Sequence, residues 1–272
     1  MSGHEFPLGA GAWFETPLGR HVLTREQDYF DRVVADVFGF HAFQLGLTGH
    51  ELLRASRIPM RCRVGAAGTA DIRADFRDLP IASNSADLVL MPHVLEFSTD
   101  PHQILREVAR VLLPEAHVII TCFNPWSLWG ARRTFGRRDE YPWHGRFINL
   151  PRLKDWLALL GLEIGGGQMS CYVPPCARQQ WLDRFAFMEK AGDRWWPIAG
   201  GLYFLEAVKR VRGMRLITPK WSGRLVPKDN LVAMPKKVRD EQEPLAARVI
   251  AKGVTGEAGL ERRDWKCVTG EA

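Results

Sequence analysis

Two short apolar runs separated by one amphipathic helix constrain this chain more than any other feature. Asp87-Leu-Val-Leu-Met91 is mostly apolar and is stopped by Pro92, and His117-Val-Ile-Ile-Thr-Cys-Phe123 is apolar at nearly every position. Runs of that kind suit strands buried on both faces. Between them, Asp100-Pro101 supplies a cap followed by a proline in the first turn. Ile104, Leu105, Val108, Val111 and Leu112 then recur at helical spacing until Pro114. A strand–helix–strand crossover this long joins parallel strands. The class it predicts is α/β, with a doubly wound, mostly parallel sheet.

The flanking segments extend the pattern. Thr24 is read as a helix cap with Gln27 at the capping-box position, and Phe30, Val33, Val34 and Val37 follow at helical spacing up to Gly39. His41–Leu47 reads as a buried strand turning at Gly46 and Gly49 into a short helix through Leu52 and Leu53. Met60–Val64 and Ala70–Phe76 read as short strands. Residues 124–148 read as a long polar, aromatic and arginine-rich connection, a length typical of lids and binding loops. Pro151 opens another helix that Gly161 closes, and a strand begins at Leu162 and is interrupted by Gly165-Gly166-Gly167. A helix is expected over about 178–190, within a small helical insert of about 176–197, and 201–211 fits either strand or helix.

Charge divides the chain. From Lys209 onward there are 15 basic and 8 acidic residues, against 22 and 23 in residues 1–208. The net charge of +6 therefore comes from the tail, and the body carries no charge excess of the kind a nucleic-acid groove needs. Periodicity fades beyond Arg215, so the expected organisation is one α/β domain over 1–217 and a basic, disordered tail over 218–272. No stretch approaches the ~18 apolar residues of a membrane span, and the first residues lack the basic start and apolar run of a secretory signal. Five scattered cysteines argue against a disulfide framework and for a reduced, cytoplasmic setting. Cys171 and Cys176, separated by Tyr-Val-Pro-Pro, match no common zinc spacing, and no metal site is expected.

Over Asp71–Asn124 the sequence resembles the class I S-adenosylmethionine-dependent methyltransferases, in their type-11, small-molecule branch. The resembling segments are Asp75-Phe-Arg-Asp-Leu-Pro-Ile81, Ser85-Ala-Asp-Leu-Val-Leu90, His93-Val-Leu-Glu-Phe97, Asp100-Pro101, Leu105-Arg-Glu-Val-Ala-Arg-Val-Leu112 and Pro114-Glu. The family writes these as GD-x-x-x-LPF, S-x-D-x-V, H-x-LEH, D-P and L-x-E-x-x-RVL-x-PGG. More narrowly, the chain resembles a bacterial subgroup with a Trp-rich helical insert near the C-terminus. Two departures stand out. The acidic residue and glycine loop after the family's first strand are replaced by Gln44-Leu-Gly-Leu-Thr-Gly49, and Met60–Thr69 offers no acid for the ribose hydroxyls.

The resemblance implies methyl transfer from S-adenosylmethionine to a small-molecule acceptor by in-line displacement. The alternative is a non-catalytic, methyltransferase-like binding or regulatory protein, which leaves room for a protein partner. The cofactor positions it implies are Leu45, Gly46, Asp75, Phe76, Pro92 and His93, with Asp75 and Phe76 beside the adenine. His93, at the carboxyl edge of the sheet, is the first candidate for a catalytic base. Asn124, Trp126 and Trp129 are expected to line the acceptor pocket. The Arg132-Arg133 and Arg137-Arg138 pairs read first as a solvated face, with an anionic substrate as the other reading.

Overall fold

The computed structural model describes residues 10–66, 69–136, 140–196 and 198–211. The expected tail over 218–272 lies outside the described residues, as do Arg137 and Arg138. The strands are β1 (His41–Leu45), β2 (Met60–Gly65), β3 (Ile72–Arg73), β4 (Ala86–Pro92), β5 (Leu112–Phe123), β6 (Leu162–Ser170) and β7 (Leu202–Lys209). They form one sheet in the order β3-β2-β1-β4-β5-β7-β6. β1 to β5 pair in parallel, and β7 runs antiparallel between β5 and β6. The doubly wound, mostly parallel sheet read from the sequence is the observed architecture.

Alternate side chains of each central strand serve opposite faces. Val89 and Met91 of β4, with Val118, Ile120 and Cys122 of β5, pack on one face. Leu88 and Leu90 of β4, with Ile119 and Phe123 of β5, pack on the other. The first face is covered by α3 (Pro101–Val111) and α5 (Leu150–Leu159). Ile104, Leu105, Val108 and Val111 of α3 are fully buried there, each contributing roughly 1.5–3 kcal/mol. The second face is covered by α1 (Ala10–Phe14) and α2 (Pro17–Val33), with Trp129 of α4 (Leu128–Phe135) beneath them. The start of β1 is pinned to β4 by the Asp87 carboxylate, which accepts from the backbone N–H groups of Phe40 and His41 at 2.8 and 2.9 Å.

Several local expectations are corrected. The second helix starts at Pro17, with Thr16 as cap accepting from Gly19 N at 3.1 Å. This is the same cap–proline signal that opens α3, where Asp100 accepts from Gln103 N. Thr24 is interior and donates to Arg20 O, an i−4 bond open to a helical threonine. The segment around Leu52 and Leu53 is a buried turn rather than a helix, and the third strand keeps only Ile72–Arg73. The glycine run does not interrupt β6, which passes through it with one register shift. A Cβ on Gly167 would meet Phe204 O at 2.6 Å, so the close approach of β7 requires glycine there. Within residues 201–211, Leu202–Lys209 form a strand, β7. The insert holds two helices, α6 (Gln179–Arg184) and α7 (Phe187–Trp195), in place of one.

Candidate functional site

The carboxyl ends of β1, β4 and β5 lie side by side, which is where open α/β sheets bind ligands. β4 ends at Pro92, and His93 turns the chain with φ +53° while its N–H donates to Thr121 O at 3.0 Å. The imidazole points inward. It is fully buried and stacks on Phe123 with centroids 4.2 Å apart. Nδ1 lies 2.7 Å from Glu96 Oε2, and Nε2 lies 2.8 Å from Glu26 Oε1, a residue of α2. Glu96 Oε1 also accepts from Phe123 N at 2.6 Å. Both carboxylates are fully enclosed. Burial alone would pull the His93 pKa down, but the carboxylates of Glu26 and Glu96 outweigh it and push the imidazole up to about 10. Burial raises the Glu96 carboxyl, against the pull of the imidazolium. A histidine held as imidazolium has no free lone pair to take a proton. The structure thus gives His93 a network inside the protein instead of an opening onto a pocket.

The turn after β1 is closed from within. Gly46 takes φ +78° and Leu47 φ +45°. The buried Gln44 carboxamide lies beneath: Nε2 is 3.1, 3.0 and 2.9 Å from the carbonyls of Gly46, Leu47 and His50, and Oε1 accepts from Leu52 N at 3.1 Å. A carboxylate, being acceptor-only, could not hold those three carbonyls. Glutamine at the family's acidic position is therefore explained by what it binds in this chain.

The other expected cofactor positions are spread along the same edge. Leu45, Gly46, Phe76 and Pro92 are buried. Asp75 is half-buried, and its carboxylate pairs with Arg77, Oδ2 to Nη2 being 2.6 Å. For S-adenosylmethionine, the left-handed turn at Gly46–Leu47 and the half-exposed Asp75 fit the methionine and adenine ends. The ribose end departs from the family, because no acid occurs in Met60–Ala70.

Beyond β5, the three expected acceptor residues part ways. Asn124 is buried and Nδ2 donates to the carbonyls of Ile198 and Gly200 at 2.8 and 2.9 Å, while Oδ1 accepts from Trp126 N at 3.0 Å. Trp129 is fully buried, its indole donating to Val173 O at 3.0 Å. Trp126, 71% exposed, lines an open cavity of about 630 Å³. The cavity sits between the N-terminal ends of α3 and α5, and its walls include Arg133, Arg146, Phe147, Arg152 and Trp156. Glu26, Arg146, Arg152 and Trp156 were not singled out in the sequence. Glu26 sits 67 positions from His93 in a helix otherwise read as scaffold, and only the fold joins the two.

Among the described residues, one grouping presents metal-compatible atoms. These are His21, Cys171 and Glu189, whose ligand atoms all lie within 4.8 Å of one another. His21 Nε2 already meets Glu189 Oε1 at 3.2 Å, and burial pushes the Cys171 thiol up, so the three are satisfied as a polar contact beside a protonated thiol. Cys176 is not part of it. No helix among the described residues is long and apolar enough to cross a membrane.

Residues 48–120 match the family described as a methyltransferase domain. An uncharacterized Escherichia coli protein, YafS, is 32% identical over 155 residues, spanning 56% of this chain and 65% of that protein. The malonyl-[acyl-carrier protein] O-methyltransferase of Laribacter hongkongensis is 30% identical over 115 residues, 40% of this chain and 39% of that protein. The chain thus spans less than two-thirds of the length of these relatives. Among solved structures, a Thermotoga maritima S-adenosylmethionine-dependent methyltransferase, a possible histamine N-methyltransferase, shares the fold with a TM-score of 0.55 at 15% identity, covering 74% of this chain and 94% of that one. The matched domain is described by methyl transfer, and the Thermotoga maritima protein by its dependence on S-adenosylmethionine. Residues 48–120 are thus similar to a methyltransferase domain, and the sheet has the fold of a solved S-adenosylmethionine-dependent methyltransferase.

Proposed function

We propose that this protein transfers a methyl group from S-adenosylmethionine to a small-molecule acceptor held in the cavity between α3 and α5. The observation that carries the reading is that cavity, about 630 Å³ and open at the carboxyl ends of β4 and β5. It lies on the same sheet edge as the Gly46 turn and Asp75, the positions that would hold the methionine and adenine ends of the cofactor. When bound, S-adenosylmethionine supplies an electrophilic methyl group on a sulfonium sulfur. What the chain must add is alignment of the acceptor in line with that methyl and exclusion of water. Trp126, Phe147 and Trp156 offer flat apolar surfaces for the acceptor. His93 acts as a positioning residue: by tying α2, the 95–97 turn and β5 together, it fixes the end of β4 between the two sites.

The burial of Leu45, Phe76, Pro92 and His93, together with the missing ribose acid, favours a second reading, a methyltransferase-like protein that binds without catalysis. Calorimetric titration of the full chain with S-adenosylmethionine and S-adenosylhomocysteine separates them. Micromolar binding, weakened by Asp75→Ala, is the result expected. A folded sample that binds neither compound overturns the methyl-transfer reading in favour of the second.

A further inference from the structure

The walls of the cavity between α3 and α5 are basic. Arg133 comes from α4, Arg146 from the connection that follows and Arg152 from the first turn of α5. Against these three guanidinium groups the cavity has one carboxylate, Asp100, and that group accepts from Gln103 N at 3.1 Å as the cap of α3. Among the described residues, neither Arg146 nor Arg152 has an ion-pair partner. Elsewhere Arg54, Arg63, Arg77 and Arg110 each sit within 3.1 Å of a carboxylate. Two cavity arginines instead lie over aromatic rings, Arg133 on Phe147 at 5.2 Å and Arg152 on Trp156 at 5.1 Å. Such stacking holds a guanidinium's plane while leaving its N–H edge able to donate. The positive ends of two helices add to the field, since α3 and α5 both begin at the cavity. At α5 the Asn149 side chain makes no capping bond, so it satisfies none of the first-turn N–H groups.

Resting on the methyl-transfer reading for its role, we propose that the acceptor is an oxyanion, a carboxylate or phosphate ester, with an apolar planar body. Arg146 and Arg152 bind the charge, and Trp126 and Trp156 flank the body. A guanidinium presents paired donors that match either oxyanion, and the aromatic walls favour a flat partner over a fully hydrated sugar or peptide.

The test uses the full chain and three probes of one shape: naphthoate, naphthyl phosphate and neutral naphthylmethanol. Calorimetry is expected to show one of the two anions binding at least about tenfold more tightly than the alcohol, as charge-assisted hydrogen bonds predict. The tighter anion identifies the oxyanion. Arg146→Gln combined with Arg152→Gln is expected to remove that preference. Both side chains are exposed and neither has an ion-pair partner among the described residues, so the fold does not depend on them. Equal affinity for anion and alcohol, or an anion preference that survives in the double variant, overturns the proposal. S-adenosylhomocysteine titrated into the same samples keeps the two readings apart. Cofactor binding without anion preference removes only the oxyanion. Anion preference lost in the double variant, without cofactor binding, keeps the site and removes methyl transfer.

Discussion

Removing the cation from the Glu26–His93–Glu96 network is the sharpest test of how this fold holds the end of β4. In His93→Gln, two fully enclosed carboxylates face the position the imidazolium held. Breaking a buried charge network by deleting one partner costs about 3–5 kcal/mol, because the remaining charge stays desolvated. Glu26→Gln leaves imidazolium facing the Glu96 carboxylate, with an amide oxygen still able to accept, so its expected cost is about 0.5–1.5 kcal/mol. The pH dependence follows from the direction of the shift. The folded His93 pKa, about 10, lies above its ordinary value. Its contribution is complete below about pH 6.5 and is lost as pH rises through 10. Between about pH 5 and about pH 8 the imidazolium of the native protein is therefore maintained, while in His93→Gln the stranded carboxyls must either hold a proton or remain charged. Each proton held costs about 1.4 kcal/mol more per pH unit, so the variant's deficit should widen from about pH 5 to about pH 6.5 and then level, because the native protein also loses stability above pH 6.5 as His93 keeps its proton. Urea midpoints of the three proteins at both pH values measure this. A His93→Gln deficit that is the same at both, or smaller than that of Glu26→Gln, would refute a charged network.

The remaining predictions concern side chains that hold loops at the sheet edge. Gln44→Glu places a carboxylate against the carbonyls of Gly46, Leu47 and His50, and should lower stability by about 2–4 kcal/mol, read from urea unfolding; a neutral result would mean the turn does not rest on the carboxamide. Asn124→Ala leaves the carbonyls of Ile198 and Gly200 without their side-chain donor and should cost about 2–3 kcal/mol, with faster hydrogen exchange at the N–H of Trp126, which loses its acceptor.

The fold was legible because its central strands are buried on both faces, which writes them into the sequence as apolar runs bounded by punctuation: Pro92 after β4, Asp100-Pro101 before α3, Gly161 after α5. The errors cluster where a local signal had two meanings. Thr24 and Thr16 are both plausible caps, and the cap is the one followed by proline, whose fixed φ suits the first turn. Gly165-Gly166-Gly167 has the composition of a break, yet β7 approaches so closely at Gly167 that only glycine can continue the strand. Residues 201–211 lacked clear periodicity because β7 sits between β5 and β6 with both faces covered, which erases the alternation that would mark a strand.

The candidate site was legible by position and not by role. Every residue carried over from the resemblance lies at or near the carboxyl edge, because strand order and crossover length dictate that edge. Which side chains face outward depends on contacts that no local pattern records. His93 turns inward because Glu26 reaches it from α2 and Glu96 from the turn after β4, and a positive φ at His93 allows the backbone to reverse there. Asn124 and Trp129 turn inward because the backbone at Ile198–Gly200 and Val173, far along the chain, offers carbonyls that their N–H groups must meet once buried. Trp126 is left outside by the same geometry: its neighbour Asn124 accepts from its N–H and holds the turn, so the indole projects into the cavity. The chemistry that distinguishes this cavity, three arginines among aromatic rings, arises from α4, the 140–149 connection and α5 meeting in space. Of those arginines the sequence displayed only Arg133, within a basic face, and the fold brings Arg146 and Arg152 to the same cavity.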